Sequence, residues 1–237
     1  MEKTEYKEKT YGHETMGSTA VNPELIKRRM LFDYQCSCSN PSNAIDCIHE
    51  LITELADPDL DMHNFLHDAA NTICTKLCVN EVTIGLKDPK DGLFRYQVMA
   101  GLEESEWEAH KKLAYSLEQF DDPALYKYMK ISKYTRLFLA EDNPYVNGEE
   151  ETYSKPLMLL SERKSLEDTI EGDYLDIYIY GKGDELKGWL EISGMNNGKF
   201  PDIQTIKVVE MLASVIGIAL AHPSTGGNQE TKDASPS

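Results

Sequence analysis

The sequence has no run of about 20 apolar residues, the length a membrane span requires. Its opening, MEKTEYKEKTYGHETMGSTA, is charged where a signal peptide is greasy, so no membrane association and a cytoplasmic location are expected. There is also no long basic run to track a phosphate backbone. The formal net charge is -17 at pH 7, with acidic and basic residues mixed along the chain, which points away from nucleic acid as a partner. Cysteine is sparse: five residues, an odd number that cannot all pair, in a compartment that disfavours disulfides. No cysteine follows Cys78. Serine is plentiful, yet no G-x-S-x-G nucleophile elbow occurs, and GKGDELKG lacks the following helix that a phosphate cradle needs.

What is present is enough apolar residue, 41% of 237, to bury one sizeable core. Residues 1–20 and 223–237 are polar and aperiodic and are expected to be flexible tails. NPELIKRRMLFDYQ and NPSNAIDCIHELITELA each begin Asn-Pro, a cap followed by the one residue that loses nothing at the first helical position. They predict two helices in an N-terminal extension over 21–57, joined by a turn containing CSCS. A domain over 58–222 follows. Its first helix runs from about Asp59 to Cys78, with Met62, Leu66, Ala69, Ile73 and Leu77 on one face.

EVTIGLKD and LFRYQVMA alternate and flank Pro89-Lys90-Asp91-Gly92, which predicts a hairpin. A second hairpin lies in DYLDIYIYGKGDELKGWLEIS. Leu175, Ile177, Ile179, Leu190 and Ile192 form an aliphatic face, and Asp176, Tyr178, Tyr180, Trp189 and Glu191 a polar aromatic one. Between the hairpins, EESEWEAHKKLAYSLEQF and DPALYKYMKIS read as helical, and RLFLAEDNPYVNGEEETYSKP as a strand followed by a long polar loop. The last helix, 202–222, carries two stripes. Val209, Leu212, Ile216 and Leu220 suffice to dock it, so Val208, Met211, Val215 and Ile218 point to a helix of a second copy.

This order of elements, closing in KGWLEIS and FPDIQTIKVVEMLASVIGIALAH, resembles a GAF domain over about residues 59–222. The resemblance implies an α+β, PAS/profilin-like fold: an antiparallel sheet of about six strands, leading and closing helices on one face and a ligand pocket on the other. It also implies a sensory role, with a homodimer formed through the helices. Under that implication Asp176, Tyr178, Tyr180 and Trp189 face the pocket, and Trp107, Tyr115, Tyr134, Arg136, Asp142 and Tyr145 build its walls and lid. Cyclic-nucleotide-binding members carry an Asn-Lys, Phe, Asp-Glu pattern. Asn197, Lys199, Phe200 and Asp202 are compressed against it and the Glu is missing, so that ligand is not carried over. Free methionine sulfoxide reductases of this family, and its bilin carriers, use a cysteine in the pocket segment, where this chain has none.

Cys36, Cys38 and Cys47 are the candidate metal or redox site. A fourth ligand would come from His63, His67, Cys74 or Cys78, which share one helical stripe. His67 and Cys74 are about 10 Å apart along the axis and cannot serve one ion together. HNFLH lacks the Glu of a zinc-protease helix, and cysteines beside an apolar stripe are usually packed, which leaves Cys74 and Cys78 as core residues. The expectation is a non-catalytic sensory module with a small-molecule ligand and no identified cofactor, passing its signal to another protein. A cysteine-based metal or redox sensor is the alternative, and an enzyme resembling free methionine sulfoxide reductase a further one that the absence of cysteine after Cys78 disfavours.

Overall fold

The computed structural model describes residues 21–36, 42–120, 122–143, 149 and 151–221. Two helices lead the chain, α1 (Pro23–Cys36) and α2 (Ser42–Glu54). Asn22 caps α1, its side chain accepting from the Glu24 N–H at 2.9 Å. α3 (Met62–Leu77) begins at Asp61, whose carboxylate accepts from the Asn64 N–H at 2.9 Å, and ends where Cys78 turns left-handed at φ 56. Cys78 leads directly into β1 (Val79–Lys87), and β2 (Phe94–Ala100) returns antiparallel as the predicted hairpin. Arg95 donates to both Asp91 carboxylate oxygens across its turn, at 2.6 and 3.0 Å.

The middle departs from its helical reading. α4 (Glu104–His110) and α5 (Leu117–Phe120) are short, and DPALYKYMKIS carries a strand, β3 (Tyr128–Lys130), paired with β4 (Thr135–Phe138). An open sheet edge outweighs the local preference of three residues. α6 (Lys155–Leu160), β5 (Tyr174–Tyr180), β6 (Leu186–Met195) and α7 (Ile203–Ala219) complete the chain. The strands form one sheet in the order β2-β1-β6-β5-β4-β3, every neighbouring pair antiparallel.

That order places the site. β2 and β3 are opposite edges, so the connection 101–127 must cross the sheet, and it carries α4 and α5 over one face. The connection 139–173, with α6, contributes to the same face. The helices α3 and α7 cover the other, and α1 and α2 pack on those helices. There Leu175, Ile177, Ile179, Leu190 and Ile192 join Phe65, Ile73, Val209, Leu212 and Ile216 in the main core, each buried side chain contributing about 1.5–3 kcal/mol. Gly217 lets α7 press on β5: a β-carbon there would lie 2.3 Å from the Tyr180 carbonyl oxygen. This is the expected α+β architecture, with six antiparallel strands between a helical layer and a cavity.

The second stripe of α7 divides. Val208 and Val215 are buried, because α1 and α2 pack on α7 within the chain and add Ile26, Met30 and Leu51 to its core. Met211 and Ile218 remain exposed. Among the described residues, no helix is long and apolar enough to cross a membrane.

Candidate functional site

Strand alternation aims one set of side chains away from the helices: Glu81 and Thr83 on β1, Tyr96 on β2, Tyr174 and Asp176 on β5, Trp189 and Glu191 on β6. They line a cavity of about 360 Å³ whose remaining walls come from α4, α5, α6 and the loops around them. The cavity is set against an aromatic cluster. Phe120 of α5 lies 4.9 Å from the Trp189 ring, 5.4 Å from Phe94 and 5.3 Å from Tyr178, and Tyr96 meets Trp189 edge-on at 4.9 Å. Such contacts add about 0.5–1.5 kcal/mol each beyond burial, so this end of the cavity is preformed.

Carboxyl groups dominate the polar lining. The Tyr115 and Tyr126 hydroxyls donate to the same Glu149 oxygen at 2.7 and 2.6 Å, and Tyr96 donates to Glu191 at 3.1 Å. Burial raises Glu191 to about 7, with the Tyr96 hydrogen bond pulling the other way. Burial likewise raises Glu81 to about 7, helped by Glu171, Glu106 and Glu191. Asp176 is pushed well above the carboxylate range by burial and by Glu191, with Arg136 opposing. His110 offers no counter-charge. Its Nδ1 lies 2.8 Å from the Glu106 carbonyl and donates to it, and burial lowers its pKa, so the ring is neutral.

One end wall is braced by Arg163, which is fully buried. It donates to both Glu141 oxygens at 3.0 and 2.9 Å, to Asp173 at 2.9 Å, and to the Asp168 carbonyl. Asp173 also accepts from the Ala140 and Ile170 N–H groups at 3.0 and 2.9 Å, and burial raises it to about 6. This charge-assisted network fixes the loop between α6 and β5 against the end of β4.

Of the residues assigned from sequence, Tyr115, Asp176 and Trp189 line the cavity together. Of the others, those among the described residues lie elsewhere. Tyr178 faces the right way but lies under Phe120, and Tyr180 is further toward the β5–β6 turn, paired with Tyr134 at 5.8 Å. Arg136 turns from the cavity, its guanidinium 4.4 Å from the Tyr178 ring centre and 5.3 Å from that of Tyr128. Trp107 is on α4 beside Glu106, under the Lys111 ammonium at 5.7 Å, while Glu106 and His110 take the inner face. Asp142 pairs with Lys27 of α1. Tyr145 lies outside the described residues.

The sequence reading missed Glu81, Thr83, Tyr96, Glu149 and Arg163. Glu81 and Thr83 were accessible, since the alternation that buries Val82 and Ile84 sends them to the other face. Glu149 and Arg163 belong to aperiodic segments and carry no such signal.

Cys38 lies outside the described residues; Cys36 ends α1 and Cys47 lies in α2, and their side chains are not described, so the metal or redox site stays an expectation. Among the described residues no group of three or more His, Cys, Asp or Glu side chains is placed to hold a metal ion. Cys74 is half-buried, its thiol raised to about 11 by burial and set 3.6 Å from the Ala100 carbonyl. Cys78 corrects the packing expectation. It is exposed, because the left-handed cap turns it out of the stripe. His63 and His67 are exposed on α3, as a solvated face.

No protein-family profile matches the sequence, and no curated protein does. Solved structures similar to it include the GAF domain from a phosphoenolpyruvate-protein phosphotransferase of Coxiella burnetii, 18% identical over 78% of this chain and 96% of that one, TM-score 0.49. The phycoerythrobilin-bound GAF domain from a cyanobacterial phytochrome is 12% identical over 78% and 96%, TM-score 0.49. The A. aeolicus GAF domain in an inactive state is 12% identical over 75% and 95%, TM-score 0.48. The chain's own architecture is six antiparallel strands with helices on one face and a cavity on the other, the arrangement that the sequence resemblance implied.

Proposed function

We propose that this chain is a non-catalytic sensory module of the cytoplasm. A small molecule binds in the cavity, and the change is passed through the helical layer to a homodimer interface and on to a signalling partner. The observation that carries this is the cavity itself. Its volume of about 360 Å³ falls within the ~300–1,000 Å³ usual for small-molecule sites, and its walls combine a rigid sheet with two long connections.

Two ion pairs favour a route outward. Lys27 of α1 pairs with Asp142, next to the cavity residue Asn143, and Arg29 of α1 pairs with Glu167 at 2.8 Å. A ligand that shifts Asn143 thereby pulls on α1. The helical layer also offers apolar pairs seven residues apart: Leu25 and Phe32 on α1, Ile45 and Ile52 on α2, Met211 and Ile218 on α7, all exposed. Seven residues bring a helix back to within about 20° of the same face, the repeat used by helices packing side by side.

The test is a native mass spectrum of the purified protein with an absorbance scan, then calorimetric titration of any small molecule found. A retained or rebinding molecule supports the reading. An empty protein that binds nothing from a broad metabolite collection overturns it.

A further inference from the structure

We infer that the ligand of this cavity is a small organic cation, a protonated amine or guanidinium on a flat or aliphatic body, its charge held by Asp176, Glu191 and Thr83. The inference rests on the cavity being a ligand site and names the chemistry that the site selects.

The argument starts from register. Arg136 of β4 pairs with Asp176 of β5, Asp176 with Glu191 of β6, and Glu191 with Thr83 of β1, so the four form one row across the sheet. Two carboxyl groups and a hydroxyl from that row form part of the cavity floor, while Arg136 turns to the Tyr178 and Tyr128 rings. Asp176 and Thr83 are more than nine-tenths buried, yet Asp176 Oδ1 and Thr83 Oγ1 have no hydrogen-bond partner. An unsatisfied buried acceptor is costly, and these two flank Glu191 of β6 on one floor.

The demand is for a donor carrying positive charge. No lysine or arginine lines the cavity among the described residues, and His110 is neutral. Arg163 is already committed to Glu141 and Asp173. An anionic ligand would be set against Glu81, Glu191 and Asp176, with Arg136, the one cation of the row, turned to the Tyr178 and Tyr128 rings. A cation donates to the orphan oxygens and favours the ionised carboxylates that burial otherwise keeps protonated, while Tyr96, Tyr115 and Trp189 in the same lining offer ring surface to its body.

The experiment uses the full chain and three molecules of matched shape: phenethylammonium, 2-phenylethanol and 3-phenylpropanoate, titrated calorimetrically at pH 7.5. Phenethylammonium is expected to bind at least tenfold more tightly than either. Asp176→Asn and Glu191→Gln, each checked for native circular dichroism, are expected to weaken it at least tenfold, while Glu185→Gln in the β5–β6 turn leaves it unchanged. Equal or tighter binding of the alcohol or the carboxylate overturns the inference, as does unchanged ammonium affinity in both cavity variants. A retained neutral or anionic molecule in the native mass spectrum overturns the charge assignment and leaves the ligand site standing. No retained molecule and no binding by any of the three overturns both.

Discussion

The Trp189 indole lies over the bare Cα of Gly85, its cross-strand partner, so closely that a β-carbon on Gly85 would be 2.1 Å from the ring. Glycine here is a space requirement, and it lets the indole lie down as part of the cavity wall. Gly85→Ala is expected to displace the ring and destabilise the chain by about 1–3 kcal/mol, the usual cost of overpacking. Urea denaturation measures the loss, and a change in near-ultraviolet circular dichroism reports the moved indole.

Arg163 leads to a second expectation. Replacing it by Met leaves Glu141 and Asp173 facing each other without their shared cation, which costs about 3–5 kcal/mol for a buried pair broken on one side. Lysine keeps the charge but not the fork that spans both carboxylates, so Arg163→Lys should recover only part of the loss. Urea melts of the two variants beside the parent chain decide it.

Glu81 and Glu191 set a pH dependence. Folded, each holds its proton up to about 7; unfolded, each releases it near 4.5. The folded state therefore binds more protons between those values, and stability falls as pH rises through that window. The slope is at most about 1.4 kcal/mol per pH unit for each group. Above pH 7 the contribution of these two groups flattens, while Asp173, raised to about 6, and Asp176, raised well above the carboxylate range, add declines of the same sign. Melting temperatures of the ligand-free chain from pH 5 to 8 should show this decline, and Glu191→Gln should reduce it. Asp91, lowered to about 2 by Arg95, titrates below the window and leaves it undisturbed.

The proposed homodimer makes its own prediction. Met211→Asp with Ile218→Asp alters two exposed side chains that the monomer does not bury, so the fold should survive. Sedimentation velocity at micromolar concentration is expected to show a dimer for the parent and a monomer for the variant. A parent that sediments as a monomer removes the dimer from the proposal.

Thiol reactivity separates two cysteines of one helix end. Cys78 is exposed, whereas the Cys74 thiol is raised to about 11, so iodoacetamide at pH 8 should label Cys78 much faster. Trypsin cuts after Lys76 and places them in different peptides, which mass spectrometry quantifies.

Much of the fold was legible locally. Alternation in DYLDIYIY and KGWLEIS assigned both faces of β5 and β6, because a strand has only two sides and one of them must be apolar. Asn22 and Pro23 marked the start of α1 through hydrogen-bonding capacity alone. The same local logic failed for β3, three residues whose strand conformation comes from the edge of β4 rather than from their own pattern.

The candidate site divides in the same way. The sequence by itself determined which face of each strand is polar, and so that Asp176, Trp189 and Glu191 look away from the helices. Only the tertiary structure decided which of the residues on that face meet. Tyr178 and Asp176 share a face, but α5 lays Phe120 over the tyrosine and leaves the carboxyl group open to the cavity. Register across β4, β5, β6 and β1 brought Arg136, Asp176, Glu191 and Thr83 into one row, and crossover loops supplied Glu149 and Arg163. The physical reason is that periodicity specifies direction within one element, whereas proximity between elements depends on strand order and on the path of the connections.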